Sequence, residues 1–240
     1  MNNIIAVSIG DINGIGIEIL IKLFKGKKIK KFVLFKNIKI LKKYLLKNNY
    51  KFNINQVNLN KRKFIYKNNC LNIFSFNSLS NEENTINAIK FSHKECKNKR
   101  YIGLVTLPIR KDLIIKKVLP NFIGHTEYLQ NLEKKKYSNM ILYHKNIIVS
   151  PITTHIPIIS VSKKIKNKNL LFNQIINLNL SLKRDFNIKN PKLVLSGINP
   201  HAGEMGKIGD EELKFIIPIV KKLKLKKINI FGPLSADSML

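Results

Sequence analysis

The chain has 240 residues, 44% of them hydrophobic, enough to bury a sizeable core and too many for a disordered protein. Its 44 Lys and Arg against 14 Asp and Glu give a formal net charge of +30. That excess is nearly all lysine, spread along the chain beside abundant Ile and Asn as AT-rich coding produces, so it predicts attraction of anions without specific nucleic-acid binding.

The N-terminal stretch from Met1 to Val7 has no basic region and no cleavage-site pattern, and no apolar run approaches the ~20 residues of a membrane span. The expectation is a cytoplasmic protein. Cys70 and Cys96 have neither a disulfide framework nor a metal spacing around them and read as reduced thiols. Residues 3–9 form an apolar strand, Gly10-Asp11-Ile12-Asn13-Gly14 a turn, and Ile15 to Phe24 a helix. The glycine spacing in this strand–loop–helix entry is not that of the Rossmann fingerprint.

A second strand at 31–35 and a helix at 38–46 follow, with short strands expected at 52–57 and 71–74. A helix at 84–96 is capped by Ser80 or Asn81 and carries His93, a helix-surface histidine. Residues 101–106 read as a buried strand, and Leu107-Pro108-Ile109-Arg110-Lys111 opens the next helix, on which Lys111 reads as a solvated lysine. At Gly124-His125-Thr126-Glu127-Tyr128 another helix begins. His125 and Thr126 stand where free N–H groups and the helix dipole favour an anion, although Thr126 could equally serve as a cap. Residues 137–150 predict two strands around a turn at His144-Lys145-Asn146. Thr153-Thr154-His155-Ile156-Pro157 comes next, then helical patterning to Lys163 and a long amphipathic helix over 168–186.

A short apolar strand at 191–195 leads into the most informative stretch, Ser196-Gly197-Ile198-Asn199-Pro200-His201-Ala202-Gly203-Glu204-Met205-Gly206-Lys207-Ile208-Gly209-Asp210-Glu211-Glu212. It is a glycine-bearing loop at the exit of a strand, the place where open α/β sheets bind ligands, and it holds an imidazole (His201), a carboxylate (Glu204) and an amide (Asn199). A helix from Glu211 to Leu223, a strand at 227–231 and a loop at Gly232-Pro233-Leu234-Ser235-Ala236-Asp237 complete the pattern.

Asn-Pro-His-Ala-Gly-Glu with Gly-x-x-Gly-x-Glu-Glu resembles the signature of the 4-hydroxythreonine-4-phosphate dehydrogenase family, NAD-dependent enzymes of pyridoxal phosphate biosynthesis. The segments at Gly10–Glu18, Gly124–Leu129, Thr153–Pro157 and Gly232–Asp237 match the same family in the same order. The family has prolines where this chain has Ile12 and Ile17. The resemblance implies an α/β fold of the isopropylmalate-dehydrogenase-like, two-lobed kind with a largely parallel sheet, incomplete at the C-terminus. The boundary is expected near Pro120, with 1–120 as the nucleotide side and 121–240 as the metal, substrate and dimer side.

It further implies a phosphorylated hydroxy-amino acid substrate contacted by His125 and Thr126, and NAD or NADP as cofactor. It implies a divalent metal (zinc, cobalt or magnesium) on His155 and His201, which are expected to face one cleft, and a homodimer. Asp237 is the catalytic candidate, orienting substrate or assisting proton transfer, with a loop-capping role as the alternative. The family's third metal histidine lies in a Tyr-His-Asp-Gln-Gly motif, which does not occur before Leu240. The expectation is therefore little or no turnover. A related dehydrogenase for phosphorylated threonate or erythronate, and an inactive remnant, are the competing readings.

Overall fold

The computed structural model describes residues 3–29, 31–58, 65–145 and 147–239, and the chain divides into two compact units, Met1–Glu133 and Lys134–Leu240. The division falls later in the chain than Pro120, after the helix that begins at His125.

The first unit runs β1 (Ile5–Ser8), α1 (Ile15–Lys25), β2 (Phe32–Phe35), α2 (Ile38–Lys47), β3 (Ile54–Gln56), β4 (Leu71–Phe74), α3 (Asn81–Lys97), β5 (Leu104–Thr106), α4 (Lys111–Lys117) and α5 (His125–Leu132). Its five strands form one sheet in the order β3-β4-β2-β1-β5, with every pair parallel. Alternation along the strands sorts the side chains onto two faces. Val7, Leu34 and Ile73 pack with Ile17, Leu20, Ile21 and Leu41 of α1 and α2. Ala6, Val33 and Phe35 pack on the opposite side with Ala88 of α3. Helices on both faces explain why β1 and β2 read as unbroken apolar runs.

Side chains close the helix starts. Asn37 accepts from the Lys39 and Ile40 N–H groups at α2, and of the two cap candidates for α3 it is Ser80 that accepts from Glu83 N–H. β5 is shorter than the 101–106 strand expected; it is the last strand in the order of the described sheet, and its Val105 is exposed. His93 is half-buried rather than a plain surface residue, since its Nε2 lies 2.8 Å from Glu133 Oε1.

The second unit contains β6 (Leu142–His144), β7 (Ile147–Val149), α6 (Val161–Ile165), α7 (Lys168–Asp185), β8 (Leu193–Ser196), α8 (Ile217–Leu225) and β9 (Ile230–Leu234). β6 and β7 pair antiparallel, and Asn146 of the turn expected between them lies outside the described residues. β8 and β9 pair parallel. Ile165, Leu171, Ile175, Ile219, Val220, Leu223 and Ile230 form the core between this pair and helices α6, α7 and α8. The expected strand at 227–231 begins and ends later, so Gly232, Pro233 and Leu234 belong to β9. The register shifts between Val194 and Ser196, and Gly232, at φ +110°, fits there because a Cβ would come within 2.3 Å of the Leu195 carbonyl oxygen.

The architecture is thus α/β with a largely parallel sheet. No described helix is long and apolar enough to cross a membrane.

Candidate active site

The central loop leaves β8 and folds into a left-handed turn. His201, Ala202, Gly203, Glu204 and Met205 all have positive φ, between +41° and +82°. An L-residue in this region costs ~1–2 kcal/mol, so a run of four non-glycine residues there needs support from its surroundings.

That support comes from two carboxylates at the start of the following helix. Glu212 is buried and accepts from the backbone N–H of Ile198 (2.8 Å) and Asn199 (2.9 Å) and from Asn199 Nδ2 (2.8 Å). Glu211 accepts from Asn199 Nδ2 (2.9 Å) and from the Ser162 hydroxyl (2.8 Å). Burial pushes the Glu212 carboxyl up, but the N–H donors from Asn199 and Ile198 outweigh it and the net shift is downward. The Asn199 side chain, then Ser162, holds Glu211 below the usual carboxylate range.

The glycines make this packing fit. A Cβ on Gly203 would lie 2.7 Å from the Gly209 carbonyl oxygen and 2.9 Å from Glu212 Oε2, and one on Gly209 would lie 2.5 Å from Asn199 Nδ2. Glu212 begins a wide π-type turn, Glu212–Ile216, before regular α8. Pro218 has no N–H to continue the ordinary helical ladder there.

His201 is presented on the outer side of this turn. Its Nδ1 lies 3.9 Å from Asp237 Oδ2, and both side chains are exposed. The Ser235 hydroxyl donates to Asp237, and that bond, with the backbone N–H of Asp237 and then His201, lowers the carboxyl below its usual range. Two residues far apart in sequence therefore meet where β8 and β9 end. His155 lies in the same unit between β7 and α6, exposed, with its backbone in the left-handed region at φ +54°. Among the described residues no three His, Cys, Asp or Glu side chains form a metal-binding group. The His201–Asp237 pair supplies two donors only, so the residues present do not make up the expected metal site.

His125 and Thr126 belong to the first unit, at the first turn of α5. No side chain caps α5, so Thr126 does not have the capping role that was its alternative. His125 Nε2 is buried with no hydrogen-bond partner, and so is Glu127 Oε2. Burial pushes the His125 imidazole below its ordinary value, which keeps it neutral at pH 7. An uncapped helix start beside an unsatisfied imidazole nitrogen is receptive to an anion.

An apolar cavity of about 670 Å³ opens in the second unit between α7 and β8, lined by Leu171, Ile175, Leu182, Leu193 and Leu195. It reaches Gly197 and Ile198 at the root of the loop, but His155, His201 and Asp237 do not line it. Sequence reasoning did not give Ser162, Glu211 and Glu212 their holding roles. The signal was present, since an acidic pair opening a helix is placed to accept N–H groups from a preceding loop.

The family model described as "Pyridoxal phosphate biosynthetic protein PdxA" matches residues 28–240. A 4-hydroxythreonine-4-phosphate dehydrogenase of Wigglesworthia glossinidia brevipalpis is 40% identical over 68% of this chain, and the match spans 48%, about half, of that protein's length. One from Sulfurihydrogenibium sp. (strain YO3AOP1) is 33% identical over 98% of this chain and 74% of its own length. The crystal structure of a 4-hydroxythreonine-4-phosphate dehydrogenase from Klebsiella pneumoniae superposes with a TM-score of 0.86 over 99% of this chain and 77% of that one; at 24% identity it speaks for the fold alone. A Burkholderia phymatum structure of the same name gives 0.78 at 26% identity, covering 99% of this chain and 75% of that one. With the family match running over nearly the whole chain, and a relative of that name 33% identical over 98% of it, the chain belongs to the PdxA family of pyridoxal phosphate biosynthetic proteins.

Proposed function

We propose that the chain is a dehydrogenase that oxidises 4-phosphooxy-L-threonine with NAD or NADP, giving a β-keto acid that loses CO2. The observation that carries this reading is the His201 loop, braced by Glu211 and Glu212 and brought against Asp237, in a chain of the PdxA family. A bound nicotinamide would supply the hydride acceptor for the substrate alcohol, whose proton would pass to solvent or a base. The first turn of α5 would take the phosphate, with the neutral His125 imidazole and the Thr126 hydroxyl as hydrogen-bonding groups. Asp237 is held anionic by Ser235 and is a weak proton acceptor for that reason, which favours an orienting charge over a general base. A divalent ion (zinc, cobalt or magnesium) on His155 and His201, and a homodimer, belong to the same reading, as does a cytoplasmic location. The ion needs a third donor beyond those that the described residues bring together.

The test is saturable binding of 4-phosphooxy-L-threonine together with NADH formation, each with zinc, cobalt or magnesium added. Binding that weakens at least tenfold in His125→Asn is expected, and faster turnover of phosphorylated threonate or erythronate would move the assignment to that substrate. No binding of either substrate would overturn the reading. Sedimentation at micromolar concentration checks the dimer.

A further inference from the structure

Lys36 follows β2 directly and is fully buried, at 0% exposure. Its Nζ donates to the Gly10 carbonyl oxygen at 3.1 Å; the Thr85 hydroxyl lies 3.1 Å from that same oxygen and 2.9 Å from the Asn81 carbonyl oxygen, with one proton for the two. The ammonium is thus the undivided side-chain donor to that carbonyl, and the hydroxyl a shared one. Gly10 begins the turn that leads into α1. The turn is also tied to the loop after β5, where Asp11 N–H donates to the Pro108 carbonyl at 2.9 Å. A Cβ on Gly10 would lie 2.0 Å from that Pro108 oxygen, so two backbones touch there.

The polar cluster extends to neighbouring elements. Asn84 of α3 accepts from Asn37 N–H at 3.2 Å, and Ser75 after β4 accepts from Ile38 N–H at 3.0 Å. Loops at the carboxyl ends of β1, β2 and β4 and the start of α3 therefore meet around Lys36. The charged groups facing it are Asp11 on the turn and Glu82 on α3. Glu82 is paired with Lys117 of α4 at 3.0 Å, and Arg110, paired with Asp112, faces the same two carboxylates.

We infer that Lys36 is a proton-controlled clamp on the Gly10–Gly14 turn: its ammonium form holds the Gly10 carbonyl and orders the turn, and loss of the proton loosens it. A charged donor makes roughly twice as strong a hydrogen bond as a neutral one, so the deprotonated amine holds the Gly10 carbonyl about half as strongly, beside a Thr85 hydroxyl that it shares with Asn81. The fit to mild alkali follows from position. Burial pushes the Lys36 ammonium down to about 8, against the opposing pull of Asp11 and Glu82. The turn is accordingly ordered at neutral pH and relaxes above about pH 8, while the strands beneath it keep their own ladders.

Amide hydrogen exchange on the whole chain, with the intrinsic base-catalysed rate divided out, reads this directly. Protection over residues 10–16 should fall on the order of tenfold across that range while β2 and β4 stay flat. Lys36→Met keeps the apolar length without the charge, and it should show low protection of the turn at every pH. Flat protection of the turn in the unaltered chain, or a pH step that persists in Lys36→Met, overturns the inference. Should Lys36→Met fold poorly, the ¹³Cε signal of Lys36 in the unaltered chain decides. A midpoint near 8 that coincides with shifts of the Gly10 and Gly14 amides supports the clamp, and one above ~10, the ordinary lysine range, overturns it.

Discussion

Gly203 sits at φ +82° with two oxygens under 3 Å from where a Cβ would be. Gly203→Ala therefore combines backbone strain with a clash against Gly209 and Glu212. A loss of about 2–4 kcal/mol is expected from these two effects together, measured by urea denaturation. The same loop sets an acid limit. Glu211 and Glu212 have carboxyls lowered on folding, so their contribution is fully present above the unfolded carboxylate value and is lost as pH falls through the folded ones. Unfolding midpoints should drop below about pH 4.5, and Glu212→Gln should flatten part of that drop while lowering stability at pH 7 by about 1–3 kcal/mol. His125 works in the same direction for a different reason. Its folded value lies below the unfolded one because the imidazole is buried, so protonation opposes folding and stability falls as pH drops below about 6.5. An imidazole titration by NMR that places His125 above that value would contradict the buried-neutral assignment.

Elements with strong periodicity were legible from sequence and elements defined by partners were not. α7 was expected over 168–186 and spans Lys168–Asp185, because its apolar residues recur on one face and Asn167 caps it by accepting from Leu170 N–H. β9 was placed too early because a Gly-Pro pair reads as a loop, whereas pairing with β8 carries the strand through it. The His201 loop announced itself by its residue types, but its left-handed path could not be read, since Ala, Glu and Met do not signal positive φ. The meeting of His201 with Asp237 depends on β8 and β9 lying side by side, a contact that sequence spacing does not encode. Among the described residues, the antiparallel pair β6 and β7 joins no further strand. Leu142, Tyr143, Ile147 and Val149 are all exposed on it. Leu142→Lys should lower light scattering at high protein concentration with little change in stability, as charges on exposed edges oppose strand-to-strand association.

At the scale of the whole molecule the dominant fact is the charge of +30. That charge is what remains after every acidic group is counted against a basic one, so it repels itself. Raising ionic strength from about 0.01 M to about 0.15 M shortens the screening length from roughly 30 Å to roughly 8 Å. The melting temperature should therefore rise with salt over that range, and it should rise further with phosphate if an anion docks at α5. A salt-independent melting temperature would mean that the repulsion is already balanced within the fold.

The left-handed turn at His201–Met205 has one more consequence, and it concerns chirality. In that region of backbone space the mirror-image amino acid is the relaxed one. Met205, at φ +58° and 85% exposed, has little packing to lose if its Cα is inverted. Installing D-methionine at 205 by semisynthesis should therefore raise stability by about 1–2 kcal/mol, whereas the same inversion within α8 should lower it.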